Sequence, residues 1–199
     1  EFRRVLFRSP ALGLRAIRIS LTRPDVFLTQ ARALLRASTE GKLAVMFPMV
    51  ISTDEVARLL DLWKQAQNEL LEHGVAFSPD VELGIMIETP AAAIMAKELA
   101  GECDFFSVGT NDLFQYTLAA DRQNHHLAYL SNDIEPVLRL IKMASDGIHA
   151  AGEDKWIGIC GEMAADETLT ELLITSGIDE LSVSPPYIAR IKEKIRGIE

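Results

Sequence analysis

Basic residues are short relative to acidic ones. Twenty lysines and arginines face 29 aspartates and glutamates, a net charge of −9 over 199 residues. Nucleic acid is thereby disfavoured as a main partner, because a phosphate backbone demands a basic surface. A small anion held by a few local arginines stays compatible, and Arg15 and Arg122 are the candidates. Cysteine is also scarce, with Cys103 and Cys160 alone. Two thiols in an α/β chain fit a reducing cytoplasm better than a disulfide framework. No apolar run reaches the length of a membrane span; the longest, around residues 43–51, is broken by Pro48. A secretory-signal pattern, internal repeats and low-complexity stretches are missing too. No cluster of histidine and cysteine offers a zinc site, and the adjacent pair His125–His126 reads as solvated loop.

What is there alternates helix and strand in a single expected domain. Pro24 opens a helix to about Ala37, with Phe27 and Leu34 on one face. Residues 43–50 read as a buried strand. Ser52 and Glu55 form a capping box before a helix that stops at Gly74. Residues 81–88 are the second strand, and Thr89-Pro90 starts a helix to about Ala100. Residues 104–108 are the third, followed by a short helix over 113–119. Pro136 opens a helix ending near Gly152, and residues 156–159 form the fourth strand. A helix from about Asp166 to Ser176, a fifth strand over 178–183 and a last helix from Ser184-Pro185 complete the pattern. Arg15–Ile19 is the candidate for a short sixth strand. Strands separated by single helices imply right-handed βαβ units and a parallel sheet. Five strands suit an open doubly wound sheet or part of a barrel, and periodicity does not choose between them.

Three strands end in chemically capable groups: Gly109-Thr110-Asn111-Asp112, Glu88-Thr89-Pro90 and Cys160-Gly161-Glu162. Ligands of α/β proteins bind at the carboxyl ends of parallel strands. Glu88 alone would do no more than favour the dipole of the Pro90 helix, and Asp112 alone would serve as a helix cap. On neighbouring strand ends, roughly 5 Å apart, the two carboxylates repel unless a cation or proton lies between them. Oxygen ligands favour Mg²⁺ or Mn²⁺ completed by substrate phosphate and water. Cys160 is either a small buried apolar residue or a proton donor, since a thiol with a reference pKa near 8.5 stays protonated at neutral pH. Arg122 can bind a carboxylate or phosphate in two-pronged fashion. Gly109 lets the backbone turn and present N–H groups to an anion. Together these groups suit a phosphate-bearing anion whose carbon is protonated in the reaction.

The same residues carry a resemblance. Phe105-Phe106-Ser107-Val108-Gly109-Thr110-Asn111-Asp112-Leu113, Gln115-Tyr116-Thr117-Leu118, Asp121-Arg122, Gly84-Ile85-Met86-Ile87-Glu88-Thr89-Pro90, Met46-Phe47-Pro48-Met49, Cys160-Gly161-Glu162-Met163-Ala164 and Leu12-Gly13-Leu14-Arg15 resemble the C-terminal domain of the enzyme I family of bacterial sugar phosphotransferase systems. The resemblance runs from Pro10 almost to the end. It implies a (β/α)8 barrel that binds phosphoenolpyruvate (PEP) with Mg²⁺. It further implies that Glu88 and Asp112 bind the metal, and that Asn111, Asp112 and Arg122 hold PEP with Arg15 as a further active-site arginine. Cys160 matches the proton donor to enolpyruvate. The phosphoryl group then passes to a histidine of an N-terminal phosphohistidine domain and on to the histidine phosphocarrier protein, in a cytoplasmic homodimer.

Departures from the family pattern qualify this. The phosphohistidine domain and the first two barrel strands, which bring phosphate-binding arginines, are not in the sequence, so a partial barrel with part of the site and no turnover of its own is expected. Residues 1–9 are expected to be non-native, since Val5–Ser9 resembles a translated sequencing adapter. Phe114 stands where a threonine is usual, residues 132–136 replace a Gln-Pro segment, and Glu153-Asp154 is a small insertion. The barrel of pyruvate phosphate dikinase or PEP synthase is a related reading, against which Asp104-Phe105-Phe106-Ser107 and Gln115-Tyr116-Thr117 count. A non-catalytic dimerisation module is a reading of a different class.

Overall fold

A computed structural model describes residues 11–121, 124, 126–127 and 133–198. Arg122 and His125 lie outside the described residues, as do residues 1–9. Among the described residues, five strands, β1 (Ala44–Phe47), β2 (Glu82–Ile87), β3 (Phe105–Gly109), β4 (Trp156–Cys160) and β5 (Glu180–Leu181), pair in parallel in the order β1-β2-β3-β4-β5. Each strand thus lies beside the next in sequence, and the order never reverses. A doubly wound sheet needs such a reversal. This sheet is wound one way, as the arc of a (β/α)8-type barrel, which decides between the two architectures that periodicity left open.

The position of the core follows. Alternate strand residues point to opposite faces, and Phe47, Ile85, Ile87, Phe106, Val108, Ile157 and Ile159 all enter one apolar core beneath the helices. Each such fully buried side chain contributes about 1.5–3 kcal/mol. On the other face stand Met46, Gly84, Phe105, Ser107, Trp156 and Cys160. Phe105 and Trp156 stack there with ring centroids 5.1 Å apart. Gly84 makes room for that ring, since a Cβ would fall 2.6 Å from Phe105.

The helices form where capping chemistry directs. They are α1 (Ile17–Thr22), α2 (Pro24–Ala37), α3 (Thr53–Glu72), α4 (Pro90–Ile94), α5 (Ala96–Leu99), α6 (Thr110–Thr117), α7 (Glu135–His149), α8 (Thr170–Thr175) and α9 (Ile188–Arg196). Ser52 caps α3 by accepting the Glu55 N–H at 3.3 Å, while Glu55 reaches back to the N–H of Ile51 rather than of Ser52. Thr89 caps α4 by accepting from Ala92 at 3.0 Å. Among the described residues, no helix is long and apolar enough to cross a membrane.

Several expectations need correction. The proposed sixth strand at Arg15–Ile19 is instead a turn leading into α1. The Ile17 N–H bonds the Pro48 carbonyl and its side chain enters the core, so the segment docks by one residue rather than by a ladder. The single helix expected over 90–100 is interrupted at Met95. Gly147 of α7 packs directly on the Lys97 backbone there. The helix expected from Asp166 begins at Thr170, after a 3-10 turn over Met163–Ala165, and β5 is shorter than the apolar run suggested.

Candidate functional site

The carboxyl ends of β2, β3 and β4 meet at one edge of the sheet. Val108 lies opposite Ile87, and Gly109 opposite Cys160. Glu88, one residue past β2, is therefore flanked by Gly109. A Cβ on Gly109 would lie 2.9 Å from Glu88 Cβ and 3.1 Å from its Oε2. Glycine at this position is what lets the Glu88 carboxylate lie across the end of β3.

Glu88 is only 4% exposed. Its Oε1 accepts the Met49 backbone N–H at 2.7 Å, and next to it the Thr89 hydroxyl donates to the Val50 carbonyl at 2.8 Å. These bonds clasp the loop after β1 to the end of β2. Met49 points its N–H at Glu88 by adopting φ 63°, a left-handed conformation that a bulky residue rarely takes. Burial, reinforced by the nearby Asp112 charge, pushes the Glu88 carboxyl up to about 7 against the opposing Met49 bond and Arg15 charge.

Asp112 sits in the first turn of α6, earlier than the sequence placed that helix. Its Oδ2 lies 3.6 Å from Arg15 Nη2, whereas its Oδ1 is buried with no hydrogen-bond partner among the described residues. Arg15 also reaches the Tyr116 hydroxyl at 3.4 Å, and that hydroxyl in turn donates to the Ala11 carbonyl. Tyr116 thus ties the segment before α1 over Asp112. Sequence reasoning assigned Tyr116 no role. An aromatic one turn after Asp112 on the same helix face was the available signal.

Cys160 ends β4. Its thiol is pushed up by burial, with Ser107 opposing and the Glu88 charge reinforcing. The thiol therefore stays protonated at neutral pH. The turn that follows is fixed to α6 from two sides: Thr110 Oγ1 donates to the Cys160 carbonyl at 2.8 Å, and Asn111 Oδ1 accepts the Glu162 N–H at 3.2 Å. Among the described residues, no three or more histidine, cysteine or acidic side chains converge as a metal cage. Arg15, Glu88, Asn111, Asp112 and Cys160 are brought to one rim.

Fold and rim together define a class: a parallel barrel arc whose strand ends carry a buried and a partly buried acid, an arginine and a protonated thiol. The chain belongs to the family described as PEP-utilising enzyme, PEP-binding domain, matched over residues 6–199. It is 51% identical over 191 residues to a phosphoenolpyruvate-protein phosphotransferase of Haemophilus influenzae, and 47% identical over 191 residues to one of Staphylococcus epidermidis. Each match covers 96% of this chain and 33% of the relative, so the chain spans about a third of their length. The relatives agree with the motif resemblance to enzyme I. A citrate lyase structure from Burkholderia xenovorans LB400 shares the fold, with a TM-score of 0.62 at 20% identity, covering 84% of this chain and 53% of that one.

Proposed function

We propose that this chain is the PEP-binding segment of a PEP-protein phosphotransferase. Its role is to hold PEP while the phosphoryl group passes to a histidine of an N-terminal domain, and to protonate the enolpyruvate left behind. The observation that carries this is the pair of acids on neighbouring strand ends, Glu88 buried with its pKa raised to about 7 and Asp112 partly buried with an orphaned oxygen, beside a protonated thiol. Such a pair fits a hard divalent cation, Mg²⁺, held by Glu88 and Asp112 and completed by substrate phosphate and water. When bound, the cation would offset the charge of the substrate.

The residues of the chain divide the remaining work. Asn111 and Arg15, with Arg122, orient the anion. The phosphoryl transfer breaks the bond between phosphorus and the enol oxygen and leaves an enolate. The Cys160 S–H proton then forms the new C–H bond at the methylene carbon, giving pyruvate, and the thiolate regains a proton from solvent. The phosphohistidine next serves the histidine phosphocarrier protein, and through it sugar uptake in the cytoplasm. The reading extends to a homodimer in the full-length protein, as the resemblance to enzyme I implies.

The test is a full-length chimera in which residues 11–199 replace the matching third of the Haemophilus influenzae relative. Cys160→Ala should abolish pyruvate formation while leaving PEP binding within about threefold. Unchanged turnover would remove Cys160 from the mechanism. The isolated chain should bind PEP weakly and show no turnover.

A further inference from the structure

The turns after β3 and β4 are not independent. Thr110, the first residue of α6, is 1% exposed, and its hydroxyl donates to the backbone carbonyl of Cys160 at 2.8 Å. One residue on, Gly161 takes φ +94°, a conformation that favours glycine. A Cβ there would fall 2.3 Å from Thr110 Oγ1 and 3.0 Å from Asn111 Oδ1. The β4 turn is therefore pressed against the first residues of α6 with no space to spare. The Asn111–Glu162 bond closes the same contact from the other side. None of this is needed to pair the strands, since β3 and β4 are already in register as far as Gly109 and Cys160.

We propose that Thr110 is a positioning residue for the Cys160 thiol. Its hydroxyl locks the carbonyl of Cys160 to the start of the helix that carries Asn111 and Asp112. The proton donor and the substrate-holding groups are thereby held in one rigid frame. The inference rests on the proposed function, and it adds a residue whose hydroxyl is committed to the Cys160 carbonyl. A proton donor must lie within hydrogen-bond reach of the atom it serves, so a small shift of the β4 turn weakens protonation more than binding.

Thr110→Val keeps the branched shape and removes the donor, whereas Thr110→Ser keeps the donor. In the chimera, Thr110→Val should lower kcat roughly 10- to 100-fold with KM for PEP within about twofold, and Thr110→Ser should stay close to the parent. In the 199-residue chain, alkylation of Cys160 by iodoacetamide, followed by mass spectrometry, should change rate in Thr110→Val and not in Thr110→Ser. Should the valine variant fail to fold, Thr110→Ala takes its place against serine. Parental kcat and alkylation in the valine or alanine variant, or equal loss in serine and valine, would overturn the proposal. Cys160→Ala separates the two levels. If it leaves turnover intact, the assignment of Cys160 falls. If it abolishes turnover while Thr110→Val does not lower it, only the role of Thr110 falls.

Discussion

Met49 donates its backbone N–H to Glu88 across the gap between two strand ends, at 2.7 Å, from a backbone angle of φ 63°. The bond favours the ionised carboxylate, yet burial outweighs it and the pKa of Glu88 rises from 4.5 to about 7. The sign for stability follows from linkage. A carboxyl whose folded pKa is raised binds more protons folded than unfolded between the two values. Its stabilising contribution is complete below about pH 4.5 and is lost as pH rises through about 7. The loss should reach roughly 3 kcal/mol. Urea unfolding at pH 5 and pH 8 should show it in the parent, and Glu88→Gln should remove most of the difference.

Asp112 contributes to that rise by its negative charge. Asp112→Asn should therefore reduce the stability lost between pH 5 and pH 8. The same substitution should eliminate Mg²⁺-stimulated turnover in the chimera described above. Titration calorimetry of Mg²⁺ into the isolated chain gives an independent reading: any heat of binding in the parent should vanish in the variant. Retained metal stimulation would contradict the assignment of Asp112.

Gly161→Ala should be among the costliest small substitutions at the rim. It combines φ +94° with a Cβ placed 2.3 Å from a buried hydroxyl. Strain and overpacking together should cost roughly 2–4 kcal/mol, read as a lowered urea midpoint with unchanged slope.

The sequence displayed much of this arrangement because its signals were redundant. Strands and helices alternated, and apolar runs over 43–50, 81–88, 104–108 and 156–159 marked the first four strands without coordinates. Glu88, Asp112 and Cys160 stood out as polar or reactive groups terminating apolar runs. The Met49 conformation was invisible, because Pro48-Met49 carries no residue that favours φ > 0; the carboxylate it serves lies on another strand. Arg15–Ile19 was misread since a window of five residues with spaced apolar side chains fits strand and helix equally. Only docking to the Pro48 carbonyl decided it. The interruption at Met95 likewise lies beside a contact the sequence does not show, Gly147 of a distant helix against the Lys97 backbone.

Ala119 offers a gain rather than a loss. It follows the last turn of α6 with φ 51°, and the next residue, Ala120, donates back to the Gln115 carbonyl at 3.0 Å. This is the left-handed helix stop at which glycine is preferred. Ala119 is exposed, so nothing packed is lost on removing its methyl. Ala119→Gly should stabilise the chain by roughly 0.5–1 kcal/mol, the left-handed penalty less the added freedom of the unfolded chain. Thermal unfolding should register it as a small rise in Tm.

The unbroken strand order also bears on how the polypeptide is made. Every strand after the first finds its neighbour already synthesised, so the sheet can accrete one βα unit at a time as the ribosome delivers it. An open edge waits only for the next βα unit, never for a strand far along the chain. The topology therefore limits the time during which unpaired edges could capture another nascent chain.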